Sequence, residues 1–158
     1  MQVIFDIDGT LLNIEHRLKF IKKSPKDWKG FRDPVQKRWD EPILPMIDLF
    51  NALYYGGNTV IIASGRTNDE EMDTRKTLER WIPYITETVE PGVDFEIPGY
   101  FRKLNDYRDD TVIKKEALDR MKLEGYNPTL VFDDRPSVIR MWREQGLTVA
   151  DVGHGKEF

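Results

Sequence analysis

Three short clusters in this sequence carry side chains that could do chemistry together: Asp6-Ile7-Asp8, Ser64-Gly65-Arg66 and Asp133-Asp134-Arg135. Four carboxylates gathered in one place repel one another unless a cation neutralises them. Ligands that are all oxygen, with no His or Cys among them, favour a hard ion. Mg²⁺ suits such a set, because it keeps several waters and takes only a few carboxylates. Asp6 and Asp8 are two apart, so at a strand end their side chains share a face. One can meet a metal while the other stays free for proton transfer. An aspartate nucleophile gives an aspartyl-phosphate, a recognised covalent route. A metal and nearby cations then stabilise the charge on the transferring phosphoryl oxygens. Singly, each cluster means little: Asp-Gly is usually a turn, Ser-Gly a loop start and an Asp pair a solvated loop. Their coincidence at three strand ends carries the reading.

The elements that must position them are legible. Residues 2–7 (QVIFDI) predict a buried strand running into the Asp8-Gly9-Thr10 turn. Thr59–Ala63 predicts a second strand, ending in Ser64-Gly65-Arg66, and Thr129–Phe132 a third, closing on Asp133. Leu147–Val152 is a last strand. Met46, Leu49, Phe50 and Leu53 stand at helical spacing between Pro45 and Tyr55, with Gly56-Gly57 as the C-terminal cap. Thr67 and Glu70 have capping-box spacing for a helix to about Trp81. Asp110 is read as the cap of a helix from Thr111 to about Leu123. Pro136 opens a helix through Gln145 that Gly146 terminates. Between Pro83 and Asp109 only a short strand within Phe95–Phe101 is readable. Strands alternating with helices predict an α/β chain with a central parallel sheet flanked by helices. Ligands bind beyond the carboxyl ends of such strands, so the three clusters should converge on one edge.

A length of 158 residues suits a single domain over 1–158 with a sizeable core. With no cysteine, disulfides, thiolate catalysis and thiolate metal sites are excluded, and a cytoplasmic setting fits best. No apolar run is long enough to span a membrane. The start MQVIFDID enters a strand with no basic stretch before it, which argues against a signal peptide. The net charge of -4 argues against a generally basic nucleic-acid binder. From Arg17 to Arg38, however, nine basic residues face two acidic ones, a local +7 that leaves -11 for the remainder. A basic element sits on an acidic body.

These residues resemble the haloacid-dehalogenase (HAD) superfamily of phosphatases. Asp6-Ile7-Asp8-Gly9-Thr10 matches its first motif, DxDGT; Ser64 matches the second; Lys114 is the candidate for the third, a phosphate-binding Lys; Asp133-Asp134 matches the acidic fourth. Within the superfamily the sequence is similar, over nearly the whole chain, to the 3′-phosphatase domain of bacteriophage polynucleotide kinase/phosphatase. That family pairs an Arg soon after the first motif with Ser-Gly-Arg at the second. An Asp precedes its Lys by four residues, and Asp-Asp-Arg is followed by a Met-Trp-Arg helix. Here these are Arg17, Ser64-Gly65-Arg66, Asp110 with Lys114, Asp133-Asp134-Arg135 and Met141-Trp142-Arg143. The ending Gly153–Phe158 matches that family's tail only loosely.

The resemblance implies a Rossmann-like HAD fold with a small helical cap after the first strand, Mg²⁺ as cofactor, and the following roles. Asp6 attacks phosphorus and binds the metal. Asp8 protonates the leaving alkoxide, activates water, and offers the metal its backbone carbonyl. Ser64, with Gly65, and Lys114 hold phosphoryl oxygens. Asp133 binds the metal, directly or with Asp134 through water. Arg17, Arg66 and Arg135 contact substrate or brace the acidic cluster, Asp110 orients Lys114, and Thr10 supports the first loop. Asp109 and Lys115 stay open as rivals to Asp110 and Lys114. The kinase phosphate loop G-x-x-x-x-G-K-[ST] is absent from the sequence, so the kinase half is missing here, and a separate kinase or ligase is the expected kind of partner.

Residues 12–41 occupy the place of the cap. Their charges are interleaved with Phe20, Trp28, Phe31 and Trp39, a combination suited to a phosphate backbone and stacked bases. The competing reading is a solvated cationic face whose aromatics form the cap's own core. Lys22, Lys23 and Lys26 are the expected polymer contacts. His16 reads as structural and Trp142 as packing, on the stripe Val138, Ile139 and Trp142. Arg75, Arg102 and Arg108 have no assigned place, though Arg102 or Arg108 could reach the site. The expected function is removal of 3′-phosphates from nucleic-acid ends or nucleotides. A free-mononucleotide phosphatase is the alternative, and an idle nucleic-acid-end binding module the competitor from another class.

Overall fold

The computed structural model describes residues 1–92, 94–155 and 157; Lys156 and Phe158 of the terminal segment lie outside the described residues. In chain order the elements are β1 (Gln2–Phe5), β2 (Leu12–Asn13), α1 (Glu15–Leu18), α2 (Trp28–Arg32), α3 (Pro34–Lys37), β3 (Glu41–Pro42) and α4 (Leu44–Tyr55). There follow β4 (Thr59–Thr67), a 3₁₀ turn (Asn68–Glu70), α5 (Glu71–Glu79), a second 3₁₀ turn (Pro83–Thr86), β5 (Gly99–Arg102), α6 (Asp110–Leu123), β6 (Leu130–Asp133), α7 (Pro136–Glu144) and β7 (Thr148–Asp151).

Five strands form one parallel sheet in the order β5-β4-β1-β6-β7. Both faces are covered, so alternate residues of one strand enter two different cores. Val3 and Phe5 face α4, where Phe5 meets Phe50 and stacks on Phe132 at ring-centroid distances of 4.9 and 4.8 Å. Ile4 and Ile61 face the other way, into Leu118 and Met121 of α6 and Val138 and Trp142 of α7. Each such fully buried side chain is worth about 1.5–3 kcal/mol over its exposed form.

The insert forms its own small core from Ile14, Ile21 and Phe31, with Leu18 and Phe20 against it. An antiparallel pairing of Leu12 with Pro42 and Asn13 with Glu41 closes its stem. Lys37 of α3 clasps Glu70 on the main body.

Most boundaries shift by one or two residues from the sequence reading, and three differences bear on the site. β4 does not stop at Ala63; β5 lies alongside it, so Ser64 pairs with Phe101 and, past a bulge, Thr67 with Arg102. The helix after Thr67 opens with a 3₁₀ turn, the capping box present, and ends at Glu79. α6 is capped by Asp109, whose side chain accepts from the Thr111 N–H at 2.9 Å, and not by Asp110, which is the first helical residue.

Candidate active site

β1 lies at the centre of the sheet, with β4 and β6 on either side. That adjacency brings the three clusters together at the carboxyl edge. The Asp6 N–H donates to Phe132 O at 3.0 Å, after which Leu11 and Leu12 N–H both close on Ile7 O. In this tight loop Gly9 has φ +88°, and a Cβ there would stand 2.1 Å from Asp134 Oδ2. Only glycine combines that conformation with that contact, so the first motif is cut to fit the fourth. Thr10 is fully buried, and its Oγ1 has no hydrogen-bond partner among the described residues.

Lys114, one turn into α6, is buried and donates to Asp6 Oδ1 at 2.7 Å and Asp133 Oδ2 at 2.8 Å. Trp142 Nε1 also donates to Asp133 Oδ2, at 3.1 Å; the packing role read for Trp142 is incomplete, because its indole also positions a carboxylate. Oxygens of Asp6, Asp133 and Asp134 lie within 4.8 Å of one another. One ammonium does not balance three carboxylates. Burial, with the charges of Asp133 and Asp134, raises the Asp6 carboxyl well above its ordinary range despite Lys114. Burial and Asp133 push Asp134 up to about 7. Burial alone would lower Lys114, but Asp133 and Asp6 raise it, so it stays charged. A hard, all-oxygen set short of positive charge fits a divalent cation such as Mg²⁺.

Asp8 lies outside that triad, its carboxylate turned to two guanidiniums. Its Oδ1 accepts from Arg66 Nε and Nη2 at 3.0 and 2.5 Å and from Arg17 Nη2 at 3.2 Å. Burial opposes ionisation here, yet Arg66 and Arg17 hold the Asp8 carboxyl well below its ordinary value. Both guanidiniums are shared with Asp40, a buried residue given no role in the sequence reading. Asp40 takes Arg17 Nε at 2.7 Å, Arg17 Nη2 at 2.8 Å and Arg66 Nη2 at 2.6 Å. Arg17 itself is fully buried, with Nη1 on Phe31 O and its guanidinium over the Phe31 ring, so it braces and does not face the cavity. His16 Nε2–H donates to Gln36 O at 2.9 Å on the insert side, with Asp40 Oδ1 3.5 Å away, consistent with a structural part.

Asp110 makes no hydrogen bond to Lys114. Its two oxygens are taken by Arg102 and by Arg135 Nη1, the latter at 2.6 Å, because Lys114 turns inward one helical turn later to reach Asp6. Arg102 reaches the site, and its Nε donates to Gly65 O at 3.0 Å. Arg135 also pairs with Glu157 at 3.3 Å. Lys115 points outward to Asp119. Ser64 is buried, its Oγ accepting from the Arg66 N–H at 3.2 Å. Arg75 lies in the core away from these clusters, where it staples Ile85 and Ile97 carbonyls to α5.

Above these groups is a cavity of about 490 Å³ whose wall includes Asp6, Asp8, Gly65, Arg66, Lys114 and Asp134. The basic insert divides over it. Phe31 packs into the insert's core, Trp39 is exposed away from the cavity wall, and Trp28 stands on the rim. Lys22 and Lys23 pair with Glu15 and Asp27 outside the cavity, and Lys26 lies over Trp28, so the three expected polymer contacts do not line it. Arg32 and Lys37 do.

A family model for the polynucleotide kinase PNKP phosphatase domain, of the HAD type, matches residues 1–157. Among solved structures, a chain of the Pnkp1/Rnl/Hen1 complex is 27 % identical with a TM-score of 0.73; the match covers 98 % of this chain and 46 % of that one. The present chain thus spans less than half of that relative's length. A haloacid dehalogenase-like hydrolase of Streptococcus pneumoniae is 15 % identical with a TM-score of 0.67, covering 98 % and 86 % of the two chains. Phosphoserine phosphatase, as a phospho-aspartyl intermediate analogue, is 17 % identical with a TM-score of 0.55 and covers 94 % and 85 %. The last two speak for a shared α/β fold. Among the described residues no helix is long and apolar enough to cross a membrane.

Proposed function

The chain belongs to the HAD family of polynucleotide kinase PNKP phosphatase domains and is a hydrolase of phosphomonoesters, and on that premise we propose that it removes 3′-phosphates from nucleic-acid ends through an aspartyl-phosphate on Asp6. The observation that carries this reading is the Asp6 environment: one oxygen is held by Lys114, the other accepts no hydrogen bond among the described residues, and the residue lines a cation-walled cavity.

In the first step the free Asp6 oxygen bonds to phosphorus as the P–O bond to the 3′-alkoxide breaks. Lys114, Ser64 and the Gly65 backbone hold the equatorial oxygens, and Arg66 and Arg135 face the charge from the wall. The leaving alkoxide takes a proton from Asp8. A resting Asp8 between two guanidiniums is ionised, so it must gain that proton as substrate binds, from a phosphate ester that arrives as its monoanion and is then attacked as the dianion. An arriving phosphate competes for Arg66, and each bond that Arg66 transfers to phosphate weakens the field on Asp8. In the second step Asp8 takes a proton from water, the oxygen attacks phosphorus, and Asp6 is released with inorganic phosphate. Asp6, Asp133 and Asp134, with the Asp8 carbonyl, would hold Mg²⁺, which supplies charge neutralisation at the transferring phosphoryl group. Asp110 holds Arg102 and Arg135, and Thr10 supports the first loop.

The product, a 3′-hydroxyl end, is what strand joining requires, so a ligase or a separate kinase acting on the same break fits as partner. The test is phosphate release, with Mg²⁺, from 3′- and 5′-phosphorylated oligonucleotides and 3′- and 5′-mononucleotides. Selective release from the 3′-phosphorylated oligomer is expected. Release mainly from mononucleotides would move the substrate to free nucleotides and leave the Asp6 chemistry in place.

A further inference from the structure

Seven cationic side chains line the active cavity, and six of them have carboxylate partners. Lys37 pairs with Glu70, Arg66 with Asp8 and Asp40, Arg102 with Asp110, Arg108 with Asp106 and Glu116, Lys114 with Asp6 and Asp133, and Arg135 with Asp110 and Glu157. The seventh, Arg32, has no carboxylate partner among the described residues; its guanidinium lies 5.5 Å from the centre of the Trp28 ring. Arg32 closes α2, which Asp27 caps, and the next acid, Asp33, is engaged as the cap of α3. Its nearest acids in sequence are thus occupied with backbone N–H groups.

Arg32 also stands where two hollows meet. Arg32, Trp28 and Tyr107 line both the active cavity and an adjoining groove of about 780 Å³, whose remaining wall comes from the α2–α3 segment. Tyr107 comes from the loop between β5 and α6 and is 77 % exposed; Trp28 is 39 % exposed. Two exposed aromatics beside a cation that no carboxylate among the described residues neutralises are surface groups free to meet a ligand. Together they offer what a nucleotide needs: a planar, charged donor for a phosphodiester and aromatic faces for a base.

We infer that Arg32, Trp28 and Tyr107 form a second subsite that takes the nucleotide preceding the terminal phosphate of a single-stranded polynucleotide, its phosphodiester on Arg32 and its base against Tyr107 and Trp28. The inference rests on the polynucleotide-end reading above and adds to it the residues that separate a polymer from a monomer. A 3′-mononucleotide would fill the catalytic cavity alone and leave this subsite empty.

The experiment compares the full chain with Arg32→Gln, Arg32→Lys and Tyr107→Ala. It measures kcat/KM for 3′-phosphorylated DNA and RNA trimers, 3′-mononucleotides and p-nitrophenyl phosphate across a salt series. Arg32→Gln should lower kcat/KM on the trimers by roughly 10- to 100-fold more than on the mononucleotides, mainly through KM. The slope of log KM against log salt on the trimers should flatten by about 0.7, one single-strand phosphate contact. Arg32→Lys should restore the slope, because it keeps the charge. Tyr107→Ala, at an exposed position that folding does not depend on, should cost the trimers roughly tenfold through lost stacking. Equal losses on every substrate, or an unchanged salt slope, would overturn the subsite. If wild-type protein released phosphate from p-nitrophenyl phosphate but did not favour trimers, the polynucleotide reading beneath it would fall as well. Wild-type preference for trimers that survived both substitutions would retain that reading and remove only this subsite.

Discussion

Two charge clusters meet at the first loop, built from the same kinds of side chain in opposite balance. One gathers Asp6, Asp133 and Asp134 around a single cation, Lys114. The other sets Asp8 and Asp40 against Arg17 and Arg66, two against two, with eight donor–acceptor links among the described residues, the Phe31 carbonyl and Thr74 hydroxyl included. In the first, carboxyl groups are driven upward from their ordinary range; in the second, Asp8 is driven down. The difference teaches that burial does not by itself set the state of an aspartate. What counts is the number of cations that burial encloses with it. The first cluster is left short of positive charge, which suits it to take up a cation. The second is complete, and serves as a fixed brace between insert and sheet.

The sharpest way to break this contrast is at Asp6. Asp6→Asn should reduce phosphate release by about a thousandfold or more, while thermal unfolding stays at or above the wild-type midpoint, because a repelled carboxylate has been removed. Turnover near wild type in pure protein would remove Asp6 as nucleophile. Next is Asp40→Ala, which leaves two buried guanidiniums short of a partner. Urea titration should show a loss of about 3–5 kcal/mol, the range for breaking one side of a buried ion pair. A loss under about 1 kcal/mol would mean that the second cluster is not the brace described. The smallest effect is expected from Asp134→Asn. Metal-free, its unfolding midpoint should rise by about 2–4 °C, as for a gain near 1 kcal/mol in a chain of this size. Mg²⁺ should stabilise wild type, by about 2.7 kcal/mol at a hundred times its dissociation constant, and stabilise the variant less. An equal Mg²⁺ response in both would take Asp134 out of the metal site.

Much of the candidate site was legible in the chain because its residues sit where a continuous apolar strand run gives way to polar residues. Asp6, Asp8, Ser64, Asp133 and Asp134 are all of this kind. Lys114 was readable only as one of a pair with Lys115, since a helix turns consecutive residues about 100° apart and the sequence does not say which faces inward. Asp110 drew the cap role from Asp109 because neighbouring aspartates are equivalent to a propensity argument. Asp40 was missed for a different reason. It lies between Trp39 and Glu41 in a basic, irregular stretch, and an acid that will be buried there looks the same as one that will be solvated. Trp142 fitted an apolar stripe, which hid the use of its indole N–H. Arg102 and Tyr107 lie in the stretch from Pro83 to Asp109, where no periodicity marked an element.

The sequence by itself determined the α/β class, the parallel sheet edge at which the clusters converge and the type of chemistry they can do, because strand ends, glycine turns and apolar periods are local properties. Only the tertiary structure decided the charge balance: which cations each carboxylate meets, that Arg17 is a brace inside the insert, and that Arg32 is left over at the cavity rim. Those outcomes depend on side chains as far as 58 and 108 residues apart, as in Arg66–Asp8 and Lys114–Asp6, and Coulomb interaction follows distance in space, which no local pattern records.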